Sequence, residues 1–126
     1  CRNAGIARID AGPKGAVLAL TIQSEQPNVL AFVLKENAWR GYRGKQRVYV
    51  VEARLKGGAA ETVALELNDF KCTTDGAPPK SWAEMDQLGI CANYEVRRPK
   101  LRVLAAEEWR GKQPVFKRLE WRVCAD

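Results

Sequence analysis

The chain has 126 residues, of which 46% are hydrophobic and 29% are charged, values that are ordinary for one globular domain and exclude a disordered protein. Lys and Arg number 21 against 15 Asp and Glu, and the resulting net charge of +6 favours an acidic partner. The longest wholly apolar run, Val29 to Leu34, is far shorter than the ~20 residues of a membrane-spanning helix. We therefore expect a single domain over residues 1–126.

Two strands are predicted in the first third of the chain. Alternating apolar residues predict a strand over residues 16–23, and the run Val29 to Leu34 predicts a strand that is buried on both faces. The intervening residues 24–28 are rich in turn-forming types, namely Ser, Pro and Asn. We therefore expect the two strands to form a hairpin.

Two more strands are predicted in the middle of the chain, over residues 47–56 and 63–67. Gly57 and Gly58 separate them, because consecutive glycines end a strand and allow a tight turn. The residues predicted to share one face of these strands are Tyr49, Val51, Ala53, Leu55, Val63, Leu65 and Leu67.

One short helix is predicted, from Ser81 to Leu88. Ser81 is a good N-cap, and Glu84 stands three positions later, as a capping box requires. Gly89 follows, and a glycine can take the left-handed conformation that commonly ends a helix.

The last third alternates again and predicts strands at residues 94–96, 101–105 and 115–124. The residues expected on one face of the final strand are Val115, Leu119, Trp121 and Val123. Together the elements predict a mainly β, single-domain antiparallel β-sandwich or small barrel of about seven or eight strands, with one short helix near residues 81–88.

Four cysteines and no histidine are the most informative part of the composition: Cys1, Cys72, Cys91 and Cys124. Without a Cys-x-x-Cys pair or an imidazole, structural disulfides are favoured over a metal site. The favoured pairing joins Cys72 to Cys91 and leaves Cys1 near Cys124. Two alternatives stay open, namely four reduced thiols in a cytosolic protein, and a lipid anchor on Cys1 as in mature bacterial lipoproteins.

The absence of histidine also removes the common general base and the serine and cysteine hydrolase triads. The carboxylate pair Glu107 and Glu108 is adjacent in sequence, so in a strand the two side chains would face opposite ways. No glycine-rich nucleotide motif is present. We therefore expect no catalytic residues, no metal and no cofactor, and a protein that is not an enzyme.

The candidate binding residues are basic and aromatic. Two stretches hold several cations and no acid, at residues 39–47 and 97–102, and a shorter Trp-Arg pair follows at residues 109–110. Trp and Arg dominate binding hot spots because they combine large contact area with bidentate pairing. The alternative is that the tryptophans plug the core with arginines stacked on them. The predicted partner-binding residues are Trp39, Arg40, Tyr42, Arg43, Lys45, Arg47, Arg97, Arg98, Trp109 and Arg110.

These observations predict a non-catalytic binding protein of the cell envelope, periplasmic or secreted, with a possible outer-membrane lipid anchor at Cys1. An inhibitor, an immunity-type protein or an assembly lipoprotein would fit, and its basic Trp/Arg loops would engage an acidic protein partner. The alternative function is single-stranded nucleic-acid binding by a small β-barrel with aromatic and basic residues. Disulfides would place the chain away from nucleic acid, which makes that partner the less favoured one.

Overall fold

A computed structural model describes residues 2–5, 8–36, 47–92, 94–98, 101–105 and 109–123. Within these ranges the chain forms ten strands and three single 3₁₀ turns. The strands are β1 (Arg2–Gly5), β2 (Val17–Gln23), β3 (Asn28–Glu36), β4 (Arg47–Leu55), β5 (Ala60–Leu65), β6 (Lys71–Cys72), β7 (Met85–Cys91), β8 (Tyr94–Arg98), β9 (Leu101–Ala105) and β10 (Val115–Val123). The turns are Ile9–Ala11, Leu67–Asp69 and Trp82–Glu84.

The strands form two four-stranded antiparallel sheets, in the orders β1-β10-β2-β5 and β6-β4-β3-β7, and β8 pairs with β9 in a separate hairpin. The expected mainly β, antiparallel architecture is thereby confirmed, in a sandwich-like form with more strands than predicted. Among the described residues, no helix has the length and apolar character needed to cross a membrane.

The main core contains residues of both sheets. β2 contributes Leu18, Leu20 and Ile22, and β3 contributes Phe32. Strand alternation explains this pattern, because every second side chain of a strand points to the same face. The buried residues of this core are Ala16, Leu18, Leu20, Ile22, Leu30, Phe32, Leu34, Tyr49, Leu55, Leu65, Phe70, Cys72, Trp82, Met85 and Trp121.

Trp82 is the largest fully buried side chain of the core. Its indole Nε1 donates a hydrogen bond of 2.9 Å to the carbonyl oxygen of Ala16. Its ring lies edge-on to Phe70 at 6.2 Å and to Trp121 at 4.9 Å between ring centroids. Gly12 closes over the two tryptophans, and a Cβ there would come within 2.6 Å of the Trp121 ring. The residue at position 12 is therefore restricted to glycine by close packing.

β3 is buried on both faces, as predicted. Leu30, Phe32 and Leu34 join the main core, whereas Ala31 and Val33 belong to a second, smaller cluster on the other face. The alternation predicted for β4 is also confirmed: Tyr49, Val51, Ala53 and Leu55 belong to or pack against the main core, and Val48 and Val50 belong to or pack against the smaller cluster.

The predicted hairpin of β2 and β3 is wrong. β2 pairs with β10 and β5, and β3 pairs with β4 and β7, so the chain crosses from one sheet to the other between them. A strand that is apolar on both faces needs a neighbour on each side and cover above and below, which the centre of the second sheet provides. The connecting turn is anchored by Ser24, which is fully buried, and by Asn28.

The predicted helix over Ser81–Leu88 is also wrong. Only Trp82–Glu84 makes a 3₁₀ turn, the Ser81 side chain makes no capping hydrogen bond, and the chain continues as β7. Gly89 lies within that strand, opposite Val33 of β3. Pairing with the apolar β3 outweighs the local capping signal, because a helix of two turns is only marginally stable by itself.

β10 alternates as predicted near its end but not at its start. The register with β2 shifts between Phe116 and Arg118, where a β-bulge inserts one extra residue. Leu119 and Trp121 therefore pack on the core, whereas Val115 is 55% exposed. The prediction for Val115 is wrong because a bulge reverses the faces on its two sides.

The predicted Cys72–Cys91 disulfide is absent, and both thiols are free. Cys72 lies in β6 and Cys91 ends β7, at the two outer strands of one sheet, with β4 and β3 between them. Three strand spacings amount to about 14 Å, whereas the Cα atoms of a disulfide lie within about 7 Å. Cys72 also packs in the main core and Cys91 against the smaller cluster on the opposite face. The short sequence separation suggested that the two cysteines would lie close together, but the order of the strands in the sheet places them far apart in space.

Candidate functional site

The predicted binding residues are distributed over several parts of the molecule. Five of them, and two of the cysteines, lie outside the described residues: Trp39, Arg40, Tyr42, Arg43, Lys45, Cys1 and Cys124. Arg97 and Arg98 are the last two residues of β8 and pair with Arg102 and Leu101 of β9. Arg47, Trp109 and Arg110 are described with their side chains.

Arg47 and Arg110 lie at opposite ends of β3. Arg47 is paired with Glu36, the last residue of that strand, whereas Arg110 is hydrogen-bonded to Asn28, the first. Eight residue steps of an extended strand span roughly 26 Å. The two predicted basic Trp/Arg regions therefore do not form one continuous surface at these residues.

At the first end, the guanidinium of Arg47 is held by neighbouring side chains. It donates to both carboxylate oxygens of Asp75, at 3.0 and 3.2 Å, and through Nε to the Tyr49 hydroxyl at 2.9 Å. The hydroxyl of Tyr49 in turn donates to Glu36 Oε2 at 2.9 Å. The guanidinium carbon also lies 5.5 Å from the Tyr49 ring centroid, in cation–π range. We call these four residues, Glu36, Arg47, Tyr49 and Asp75, the Arg47 network.

The network shifts the pKa values of its members. The hydrogen bonds with Tyr49 and Asp75 raise the pKa of Arg47 above its ordinary value. Burial raises the pKa of Tyr49, although the hydrogen bond from Arg47 opposes this shift. The pKa of Asp75 is lowered, first by the hydrogen bond from the Ala77 N–H and second by Arg47. The positive charge of Arg47 is therefore compensated within the chain, by its ion pair with Asp75.

At the second end, residues 109–112 form a loop that is fastened to the turn between β2 and β3. Asn28 pairs with the backbone of Arg110 in both directions, its Nδ2 donating to the carbonyl at 3.0 Å and its Oδ1 accepting from the N–H at 2.9 Å. Asn28 Nδ2 also lies 2.9 Å from Ser24 Oγ. Trp109 is half-buried against the main core and donates from Nε1 to the Lys112 carbonyl oxygen at 2.8 Å. Trp109 thus agrees with the alternative in which the tryptophans pack on the core instead of contacting a partner.

The start of β10 continues this region. Val115 pairs with Gln23 at the end of β2, and Gly111 packs beside Glu25 and Gln26 of the same turn. Residues 109–116 therefore border one turn, and two large apolar side chains here are half exposed, Val115 at 55% and Phe116 at 52%. Because consecutive strand residues face opposite ways, Val115 and Phe116 are exposed on different faces of the sheet, and Phe116 lies on the face of its partner Ile22.

All charged residues in the segment 109–118, which contains Val115 and Phe116, are positive. Residues 109–118 contain four cations and no acid, and all four cations are exposed. Arg118 lies 3.6 Å from Glu120 in an exposed ion pair, which contributes little to stability. We call residues 109–118 the β10 basic surface; its cations are Arg110, Lys112, Lys117 and Arg118.

Among the described residues, two surface clefts lie elsewhere, one of about 420 Å³ bordered by Lys14, Glu66 and Lys80, and one of about 330 Å³ bordered by Lys35, Gln87 and Cys91. In the part of the chain that the structure describes, no group of three or more Cys, Asp or Glu side chains is arranged to hold a metal ion.

Sequence reasoning missed Asn28, Lys112, Val115 and Phe116 as members of a site. Asn28 reads as an ordinary turn residue, and its role depends on a segment 82 residues away in the chain. Val115 and Phe116 read as the start of an alternating strand, and the bulge that turns Val115 away from the core is not visible in the sequence. The lack of acids from residue 109 to residue 118 was the one signal available.

No protein-family model matches this chain, and neither a curated protein nor a solved structure shows significant similarity to it. The proposals below therefore rest on the residues of this chain alone.

Proposed function

We propose that the protein is a non-catalytic binding domain that engages an acidic protein partner through the β10 basic surface. The observation that carries the proposal is the half-exposed Phe116 of β10, which is followed by the exposed Lys117 and lies close in sequence to the loop 109–112 that is anchored to the core. An apolar centre with a charged rim is the usual anatomy of a protein interface. The four cations of the segment select an acidic partner and accelerate its association.

Preorganisation supports the same proposal. Trp109 packs on the core, and Asn28 holds the Arg110 backbone at 2.9 and 3.0 Å. A loop that is already ordered loses less conformational entropy on binding, so more of the contact energy remains as affinity. Of the two predicted Trp/Arg regions, the proposal uses only the one at residues 109–110.

A cell-envelope location, periplasmic or secreted, remains part of the proposal. Its support from the cysteines is reduced, because Cys72 and Cys91 are free thiols. Cys1 and Cys124 lie outside the described residues, and a disulfide between them or a lipid anchor on Cys1 would support such a compartment.

Binding of a glutamate-rich peptide with a central leucine tests the proposal, with the same peptide carrying Gln for Glu as the ligand control. We expect the K112E/K117E double variant to lose at least tenfold in affinity, since each reversed charge repels the peptide. The matched control is K14E/K80E, which makes the same charge change at two exposed lysines outside the β10 basic surface.

Equal loss in both double variants would mean that only net charge matters and would contradict a defined surface. Binding of a single-stranded oligonucleotide in place of the peptide, with the same sensitivity to K112E/K117E, would favour the nucleic-acid alternative. Phe116→Ser separates the apolar contribution, because it keeps every charge and removes the exposed ring.

A further inference from the structure

Gly89 lies in the middle of β7, at a position where the fold itself does not require a glycine. Its φ is not positive, and the register of β7 with β3 shifts between Lys35 and Glu36, not at Gly89. A Cβ added at Gly89 would lie 3.8 Å from the Val33 Cβ, which is an ordinary van der Waals contact. A glycine weakens a strand, and where no bend or bulge needs it, it often marks the close approach of a ligand or another backbone.

A cleft of about 330 Å³ lies over Gly89 on the outer face of the second sheet. Gly89 and its cross-strand partner Val33 line it, and alternate residues of β7, Gln87 and Cys91, border it together with Lys35. Strand alternation places these side chains on one face of the sheet, away from the main core. Because Gly89 has no side chain, the cleft has room for one large side chain of a ligand.

β7 is also an outer strand of its sheet. Among the described residues it pairs with β3 alone, and although the turn Ile9–Ala11 contacts it, no backbone hydrogen bond joins the two. From Gln87 to Cys91 the register with β3 is regular, so every second residue points its N–H and C=O away from the sheet. These five residues include no charge and no proline, the residue types that protect a sheet edge from pairing. An added strand can therefore hydrogen-bond to them.

We propose that this edge and this cleft together bind an extended peptide segment of a partner protein. The segment pairs antiparallel with residues 87–91 as an added strand, and an aromatic side chain opposite Gly89 covers the glycine and fills the cleft. Aromatic side chains on a neighbouring strand compensate edge glycines in this way. A glutamate two residues further along the segment lies on the same face, opposite Gln87.

Lys35 selects that glutamate. Its side chain is half-buried beside the cleft, and among the described residues it forms no ion pair. Lys35 is opposite Gln87 on β3, so two strand spacings of about 5 Å each separate it from the added strand, a gap that two long side chains span. The site belongs to the second sheet and the β10 basic surface to the first, so this proposal does not depend on the function proposed above.

Calorimetric titration with the peptide acetyl-Thr-Val-Phe-Thr-Glu-amide tests the proposal. Antiparallel pairing with Phe opposite Gly89 puts its Glu opposite Gln87. Three control peptides carry Ala for Phe, Gln for Glu, or methyl groups on the backbone nitrogens. We expect the Ala and the N-methylated peptides to bind at least about tenfold more weakly, and the Gln peptide about threefold more weakly.

Gly89→Val fills the cleft and should weaken binding at least about tenfold, whereas Gly89→Ala should weaken it about threefold. Neither change should lower the urea midpoint of unfolding, because the space beside Gly89 admits a Cβ. The matched control is Ala60→Val, which adds the same two methyl groups to an exposed residue of β5, the outer strand of the other sheet, and should leave binding unchanged. Lys35→Gln should remove the preference for the Glu peptide over the Gln peptide.

Cys91 provides an independent measurement, because it borders the cleft. Saturating peptide should slow its alkylation by iodoacetamide at least about fivefold, measured in the tryptic fragment 81–97, which contains no other cysteine. Absence of binding, or binding that Gly89→Val leaves unchanged, would overturn the proposal. Amide shifts at residues 109–118 instead of 87–91 would also overturn it, as would a dimer of the parent chain that Gly89→Val abolishes, since a second copy would then occupy the site.

Discussion

The two ends of β3 carry similar residue types but use them differently. At the Glu36 end, Arg47 is paired with Asp75 and Tyr49, so its charge is compensated within the chain. At the Asn28 end, residues 109–118 hold four exposed cations and the half-exposed Phe116, and the loop 109–112 is fixed by backbone pairing with Asn28. A basic aromatic stretch in a sequence is thus insufficient to define a binding site. Arg47 shows that a cation of such a stretch can serve the fold instead of recognition.

The largest effect is expected from disturbing the turn that supports the β10 basic surface. Gly57 has a φ of +82°, and a Cβ there would lie 2.5 Å from the Gln26 carbonyl carbon. Gly57→Ala should lower the free energy of unfolding by about 3 kcal/mol, from both the left-handed conformation and the clash. Urea denaturation measures this change.

Gly58 provides a matched control, because its φ is +91° and nothing lies within 4 Å of the added Cβ. Gly58→Ala should cost about 1 kcal/mol, the contribution of the backbone conformation alone. Equal losses in the two variants would show that the close approach of the turn at Gln26 is not what restricts position 57.

Asn28→Ala is expected to cost about 2 kcal/mol, because it leaves the backbone N–H and carbonyl of Arg110 without their partner. The loop should also become more mobile. Amide hydrogen exchange at Arg110 would accelerate, while exchange at Val50 in the second sheet would stay unchanged. A stability loss without faster exchange at Arg110 would contradict the role of Asn28 in holding the loop.

Arg47→Met tests the opposite end and should cost about 1 kcal/mol, since a partly exposed network contributes modestly. The variant keeps the aliphatic part of the side chain and removes the hydrogen bonds to Tyr49 and Asp75. In an NMR titration the pKa of Asp75 should rise towards its ordinary value, although the Ala77 N–H still lowers it. An unchanged pKa would mean that Arg47 has no effect on this carboxylate. Peptide binding should be unaffected by this variant.

The smallest expected effect is on the pH dependence of stability. Because the pKa of Asp75 is lower in the folded state than in the unfolded state, its contribution is present above about pH 4 and is lost as the pH falls through the folded value. Asp75→Asn should therefore make the stability of the protein less dependent on pH in the acid range. A slope equal to that of the parent chain below about pH 4 would contradict this assignment.

Strands were predictable from the sequence where the pattern of apolar residues along the strand is strong enough to fix which side chains are buried. β4 and the double burial of β3 follow from their residues, because the period of two is strong in both. The prediction of a helix at Ser81–Leu88 was wrong because capping signals involve only neighbouring residues, whereas the pairing of β7 with β3 joins residues that are far apart in the sequence. The prediction for the start of β10 was wrong because of the bulge between Phe116 and Arg118, which the residue types at these positions do not indicate.

The candidate site was predictable only in part. The Trp-Arg pair at residues 109–110 is visible in the sequence, so this region was identified. The compensation of Arg47 by Asp75 was not visible, because 28 residues separate them and only the sheet brings them together. The separation of Cys72 from Cys91 has the same origin, since strand order is set by pairing over the whole sheet.

The central claim is that the cations at the Asn28 end engage an acidic partner, whereas Arg47 at the Glu36 end does not. The most direct measurement is the change in backbone amide chemical shifts when the glutamate-rich peptide is added to isotope-labelled protein. The account predicts that the largest changes lie in residues 109–118 and in the turn 24–28, and that K112E/K117E abolishes them. Largest changes around Arg47 and Asp75, or changes spread evenly over all exposed lysines, would contradict it.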